Sequence, residues 1–256
     1  MIDSRAVISP KAKIGKNVTI GAFSVIGDDV EIGDGSWIGN HVVISGPTTI
    51  GKENKIYHFC SIGEAPQDKK YNGEATRLEI GDRNLFREYC TVNRGTTQDR
   101  GVTTIGNDNW IMAYCHIAHD CIIGNDCTMS NSSSLAGHVR LDDKAILGGF
   151  VLVHQFCSIG SYCFCSFGSV INMDVPPYVT VSGHLAEPRG INAEGLKRSG
   201  FTPERIRMIK NAYKKIYYAN MRLEEALEWI RNEYKDEKDI ELFTSFIEAS
   251  DRGIIR

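Results

Sequence analysis

The chain has 256 residues, 42% of them hydrophobic and 24% charged, with a formal net charge of −3. That length suffices for one long core or a core with a small appendage, and the near-neutral charge argues against a nucleic-acid footprint over the whole protein. MIDSRAVISP has no basic region ahead of an apolar stretch, and no window approaches about 18 consecutive apolar residues. Neither a signal peptide nor a spanning helix is expected, and a cytoplasmic protein that is not membrane-embedded is.

From the first residues a period of six dominates. Isoleucine recurs at 2, 8, 14, 20, 26, 32, 38, 44, 50, 56 and 62, and a second run extends from Ile105 through Ile111, Ile117, Ile123, Met129, Leu135, Leu141, Leu147, Val153, Ile159 and Cys165 to Ile171. The next position is usually glycine, and the position four after the apolar residue is small or β-branched, as in Val18, Ser24, Val30 and Ser36. This is the hexapeptide repeat of an all-β parallel β-helix, in which three hexads make one triangular coil and the apolar residues stack inside. Similarity to known hexapeptide proteins implies a left-handed coil. Seven of the eight cysteines, all but Cys165, fall at the fourth position after the apolar residue. They read as buried reduced thiols.

Two segments break the ladder. Between Ile62 and Ile80 the expected inside positions are Asp68 and Glu74, so EAPQDKKYNGEATR must bulge outward. After Val92 the register slips, and NRGTTQDRGVTT forms a second projecting loop before Ile105. Loops are therefore expected near 64–79 and 93–104, on a prism of roughly ten coils over 1–186.

The pattern ends at DVPPYV, and 187–256 reads as a C-terminal α-helical domain. Thr202 and Pro203 suit an N-cap and first helical position, followed by Ile206, Ile209, Tyr213, Ile216 and Tyr217 at helical spacing. Further helices fit Leu223 to Tyr234 and Ile240 to Ala249. From Arg189 to Arg222 nine Lys or Arg face Glu194 and Glu204, whereas Leu223 to Arg256 carries five basic and ten acidic residues. The basic half is either a set of solvated helix faces or a docking patch for an acidic partner or phosphate.

Within the second ladder, HIAHDC places two histidines and an aspartate in five positions. His119 stands two residues after Ile117 and points outward, and stacking by eighteen residues puts Gly137 and then Gln155 in line with it. A histidine about 5 Å from a glycine N–H one coil away suits a general base beside an oxyanion donor. Asp120, close to a corner, would hold the imidazole in the tautomer that accepts a proton. His116, His138, His154 and Gln155 crowd adjacent hexads. A single wall has no cleft, so trimerisation is the expected way to make one. Clustered histidines also suit zinc, but the His-x4-His spacing of β-helical carbonic anhydrases is absent.

HIAHDC, LAGHV, GGFVLVHQF, DVPPYV and GINAEGLKRSGF, with QDKKY and EIGDRN, together resemble the UDP-N-acetylglucosamine acyltransferases that open lipid A biosynthesis. The likeness covers essentially the whole chain. It implies a homotrimer that moves a (3R)-hydroxyacyl group from acyl carrier protein to the 3-hydroxyl of UDP-N-acetylglucosamine, with no metal or other cofactor. By the same resemblance His119 is the base, Asp120 its partner and the Gly137 N–H the oxyanion donor. Sugar-nucleotide contacts fall to Gln67, Asp68, Lys70, His116, His138, His154, Gln155, Asn192, Glu194 and Arg198, and the basic helices face the carrier protein. Ser199 stands where relatives often have a second arginine.

Phe167, with Gly149, is assigned by the resemblance to the ruler of acyl length. It lies 48 residues beyond His119, roughly 13 Å along the prism, which holds about ten carbons. Three alternatives stay open. One is an acyltransferase with a 3-amino acceptor, although the N-acyltransferase later in that pathway carries an N-terminal domain for which hexads starting at Ile2 leave no room. The others are an acetyltransferase using coenzyme A and a noncatalytic scaffold.

Overall fold

The computed structural model describes residues 1–256. Each hexad contributes a strand of two to four residues, and strands eighteen positions apart pair in parallel, as His116, Ser134 and Leu152 do. Where a loop is inserted the offset grows, so that Thr91 pairs with His116. The result is a left-handed parallel β-helix with sheets of nine, eight and ten strands. The nine-stranded sheet begins at Val7–Ile8, the eight-stranded at Lys13–Ile14 and the ten-stranded at Thr19–Ile20.

The hexad works because its positions have separate tasks. The periodic isoleucines from Ile20 to Ile62 are buried, each contributing about 1.5–3 kcal/mol of hydrophobic stabilisation. The third residue after most of the apolar ones makes the corner with positive φ, as Asn17, Asp29, Asp108, Asp120, Asp126 and His138 do. Behind the corners the interior residue is small or carries its own hydrogen bonds. Asn54, Asn84 and Asn109 form an internal ladder in which each side-chain oxygen accepts the backbone N–H of the next coil. All eight cysteines are buried and free, and burial pushes the Cys121 and Cys165 thiols up to about 12.

Both insertions occur at one corner, where the chain passes from the nine-stranded to the eight-stranded sheet. The first separates Ser61–Glu64 from Arg77–Ile80 and the second separates Thr91–Asn93 from Val102–Ile105. They are shorter than the sequence suggests, because Arg77–Ile80 and Val102–Ile105 extend their strands outward to pair with one another. One coil later the same corner carries His119 and Asp120.

The prism does not stop at 186. Glu187–Ile191 returns antiparallel along Val179–Ser182 and closes the ten-stranded sheet, so helices start at Ala193. This return strand breaks the period of six, which is why the hexad pattern could not register it. The helices are α1 (Ala193–Arg198), α2 (Pro203–Tyr218), α3 (Leu223–Glu233) and α4 (Lys238–Glu248). The sequence pattern located α2 to α4 within a few residues but missed α1, whose six residues are too few for a periodic signal. Arg205 on α2 bonds Asp239 on α4 at 2.6 and 2.8 Å. The tail then runs back to the prism, where Ile255 N–H donates to Asp174 O and Ile254 and Ile255 are buried. No helix is long and apolar enough to cross a membrane.

Candidate active site

Two columns of side chains run down the corner below the loops. One is His119, Gly137 and Gln155; the other, at positive φ, is Asp120, His138 and Phe156. Gly137 is required by contact: a Cβ there would lie 2.5 Å from His119 Cε1 and 2.7 Å from Nε2. Its N–H donates to no backbone or side-chain acceptor of the chain. The imidazole edge and a free N–H donor are thus neighbours.

Asp120 is 1% exposed and accepts three hydrogen bonds: His119 Nδ1 at 2.8 Å, Thr96 N at 2.8 Å and Thr96 Oγ1 at 2.6 Å. Its own N–H donates to Thr103 Oγ1 at 2.8 Å. Burial works to raise its carboxyl, but the bonds from His119 and Thr96 outweigh that and hold it below the usual carboxylate range. An ionised Asp120 accepts a hydrogen bond from the Nδ1–H of His119 and so holds the tautomer whose Nε2 lone pair faces the groove. His138 packs edge-on against His119 and stacks on Phe156, with Nδ1 3.0 Å from Asp99 Oδ2.

The groove in front of these groups has a volume of about 1110 Å³. The two loops supply Gln67, Asp68, Lys69, Lys70, Gln98 and Asp99, the prism supplies His119, His138, Gln155, Phe156, Ser158 and Asp174, and the C-terminal strap supplies Ala249, Asp251 and Arg252.

Residues 29–64 and 103–137 match the bacterial transferase hexapeptide family, and 174–255 match the second domain of UDP-N-acetylglucosamine O-acyltransferases. The acyl-[acyl-carrier-protein]–UDP-N-acetylglucosamine O-acyltransferases of Alkalilimnicola ehrlichii and Halorhodospira halophila are 58% and 56% identical, over 100% of this chain and 99% of theirs. The solved UDP-N-acetylglucosamine acyltransferase of Francisella novicida superposes with a TM-score of 0.98 at 44% identity, covering 100% of this chain and 94% of that one. The chain belongs to the UDP-N-acetylglucosamine O-acyltransferase family. It is an acyltransferase.

In this acyltransferase Gln67, Asp68, Lys70, His138 and Gln155 join His119 around one groove. His116 sits on the same coil, three residues before His119, with Nδ1 2.7 Å from Thr91 Oγ1; burial and the nearby His119 hold its imidazole below the usual histidine range. His154 lies at the groove's edge, with Arg252 Nη2 3.0 Å from its Nδ1. Asn192, Glu194 and Arg198 are not among the residues lining the groove of their own chain. Asn192 caps α1 and donates to Tyr162 O, and Arg198 Nε donates to Glu194 O.

Phe167 is 74% exposed and rests over Gly149, where an added Cβ would meet its ring at 3.5 Å. It stands at the corner between the ten- and nine-stranded sheets, not the corner of His119. The separation expected along the axis is therefore also a crossing of the nine-stranded face. Sequence reasoning missed Thr96, Thr103, Asp99 and Arg252. The first three lie in the loop stretch NRGTTQDRGVTT, marked only as a break in the repeat, and Arg252 lies in a tail without period.

Proposed function

We propose that this acyltransferase moves an acyl chain from acyl carrier protein to the 3-hydroxyl of UDP-N-acetylglucosamine, the first step of lipid A synthesis. The observation that carries the reading is the Asp120–His119 pair beside the unpartnered Gly137 N–H. His119 Nε2 takes the proton of the sugar hydroxyl as its oxygen attacks the thioester carbonyl. The resulting oxyanion accepts from Gly137 N–H. Collapse breaks the carbon–sulfur bond, and the departing thiolate takes the proton back from His119.

His119, Asp120 and His138 have ligand atoms within 4.8 Å of one another, a spacing that suits a metal ion. The Asp120 oxygens already accept three hydrogen bonds, one of them from His119, so the proposal is a proton relay working without metal. Activity is expected to survive dialysis against a chelator. Lys70, on the first loop, suits a phosphate of the sugar nucleotide. On α2, Arg207, Lys210 and Lys214 recur on the exposed face without ion-pair partners, which suits an acidic carrier protein. A homotrimer in the cytoplasm completes the reading: a neighbouring copy would close the open groove and bring Asn192, Glu194 and Arg198 to it. Phe167 over Gly149 then limits the chain to about ten carbons, 3-hydroxylated as in the family resemblance.

The test is transfer of radiolabelled UDP-N-acetylglucosamine to a lipid-soluble product, with 3-hydroxyacyl carrier proteins of eight to sixteen carbons. Wild type is expected to label product, and His119→Ala to lose about 10²–10⁴-fold in rate. Transfer that is indifferent to His119, that runs only from acyl-coenzyme A, or that needs a 3-amino acceptor would overturn the proposal.

A further inference from the structure

Four aspartates occupy the same turn position, with φ of 55° at Asp29, 59° at Asp108, 60° at Asp120 and 56° at Asp126. Asp29, Asp108 and Asp126 are exposed; Asp120 is buried. The hexad alone therefore turns such a side chain toward water. What differs at Asp120 is the loop 94–101, which is laid over it.

The loop meets Asp120 through Thr96, which is fully buried although it belongs to an insertion. Its N–H and Oγ1–H reach the two carboxylate oxygens separately, at 2.8 and 2.6 Å. The oxygen accepting from the hydroxyl, Oδ2, is also the one that accepts from His119 Nδ1. Two donors in fixed directions leave the carboxylate one orientation, and in that orientation Oδ2 faces the imidazole. Thr96 is itself held, because Gly101 N–H donates to its carbonyl at 3.0 Å and Gly95 N–H donates to Arg77 O at 3.2 Å.

We infer that Thr96 is a positioning residue for the acyl transfer: through Asp120 it fixes the tautomer and direction of His119, so that the loop and not the prism completes the base. The inference rests on the reading of His119 as the general base. The charged and titratable groups around the pair are His116 and His138 from the prism and Asp99 from the loop.

Thr96→Val keeps the shape and the N–H but removes the hydroxyl donor. Its kcat is expected to fall about 10- to 100-fold, as for other partners that orient a reacting group, with KM for UDP-N-acetylglucosamine unchanged. The acid limb of its kcat profile is expected at higher pH, because a carboxylate with fewer donors holds the imidazolium more strongly. Thr96→Ser restores the hydroxyl and is expected to return kcat to within about threefold. In ¹⁵N-histidine-labelled protein, the Nδ1 proton shared with Asp120 should keep its shift in Thr96→Ser and move in Thr96→Val. Wild-type kcat and pH profile in Thr96→Val, or a serine variant as impaired as the valine one, would sink the inference. If Thr96→Val does not fold, Thr96→Cys, a weak donor of similar size, is held to the same criteria. A wild type without acyl transfer would overturn the proposed reaction, and the histidine spectrum would still decide whether Thr96 sets the pair.

Discussion

The corner between the eight- and ten-stranded sheets and the corner that carries His119 are made by the same hexad, yet one is a closed seam and the other a reactive edge. At the first, the outward backbone N–H of Lys52, Asp82, Asn107 and Asn125 donates to an Asp or Asn side chain of the following coil, Asp82, Asn107, Asn125 and Asp143, at 2.7–2.9 Å. At the second, the corresponding N–H groups of His119, Gly137 and Gln155 have no acceptor within the chain. Glycine at 137 removes the side chain that would fill the column and makes room for the imidazole. A repeat becomes a site where its routine hydrogen bond is withheld and the donor is left for a substrate.

That contrast can be broken from either side. Gly137→Ala is expected to have the largest effect on rate, because its Cβ meets the reacting edge of His119: kcat/KM should fall by at least about 100-fold with little change in the unfolding midpoint. Gly124→Ala makes an equally close approach, to Asp143 Oδ1 at 2.4 Å, but at the closed corner. Its cost should appear in thermal unfolding and not in kcat. Equal kinetic losses in the two variants would refute the division between corners.

A smaller change is expected from Phe167→Gly, which should shift acyl preference toward longer chains by about tenfold in relative kcat/KM, read from carrier proteins of graded length. Asn125→Ala removes one cap of the closed ladder and is expected to cost about 1 kcal/mol in denaturant unfolding while leaving activity unchanged. The smallest effect concerns acid. Asp120 has a lowered folded-state pKa, so its contribution to stability is complete above the unfolded carboxylate range, near 4, and is lost as pH falls through the lower folded value. Asp120→Asn should therefore flatten the acid limb of the stability curve, and an unchanged limb would show that the buried carboxylate is not linked to folding.

A repeat makes tertiary neighbours readable by counting. Residues eighteen apart share a column, so His119 over Gly137 could be placed from the sequence, and the loops could be placed where inside positions turn polar at Asp68 and Glu74. The same counting implies that Phe167, offset from His119 by a non-integral number of coils, belongs to a different corner. Asn192 shows what counting does not reach: within its own chain it caps α1 and donates to Tyr162 O, a role visible only once that short helix and Tyr162 are side by side. Thr96 and Asp99 were invisible for a related reason. Loops have no period, and nothing in NRGTTQDRG says which neighbour each side chain will meet.

The sequence by itself determined the prism, its inside residues, the corner that bears HIAHDC and the pairing of histidine with glycine, because a period of six leaves the backbone one way to bury its isoleucines. Only the tertiary structure decided that both insertions leave from that corner and fold back upon it, that Thr96 and Asp99 bind Asp120 and His138, and that the C-terminal strap with Arg252 borders the groove. Those contacts join segments of different local order, and their geometry is set by packing and hydrogen bonding across the chain rather than by any pattern along it.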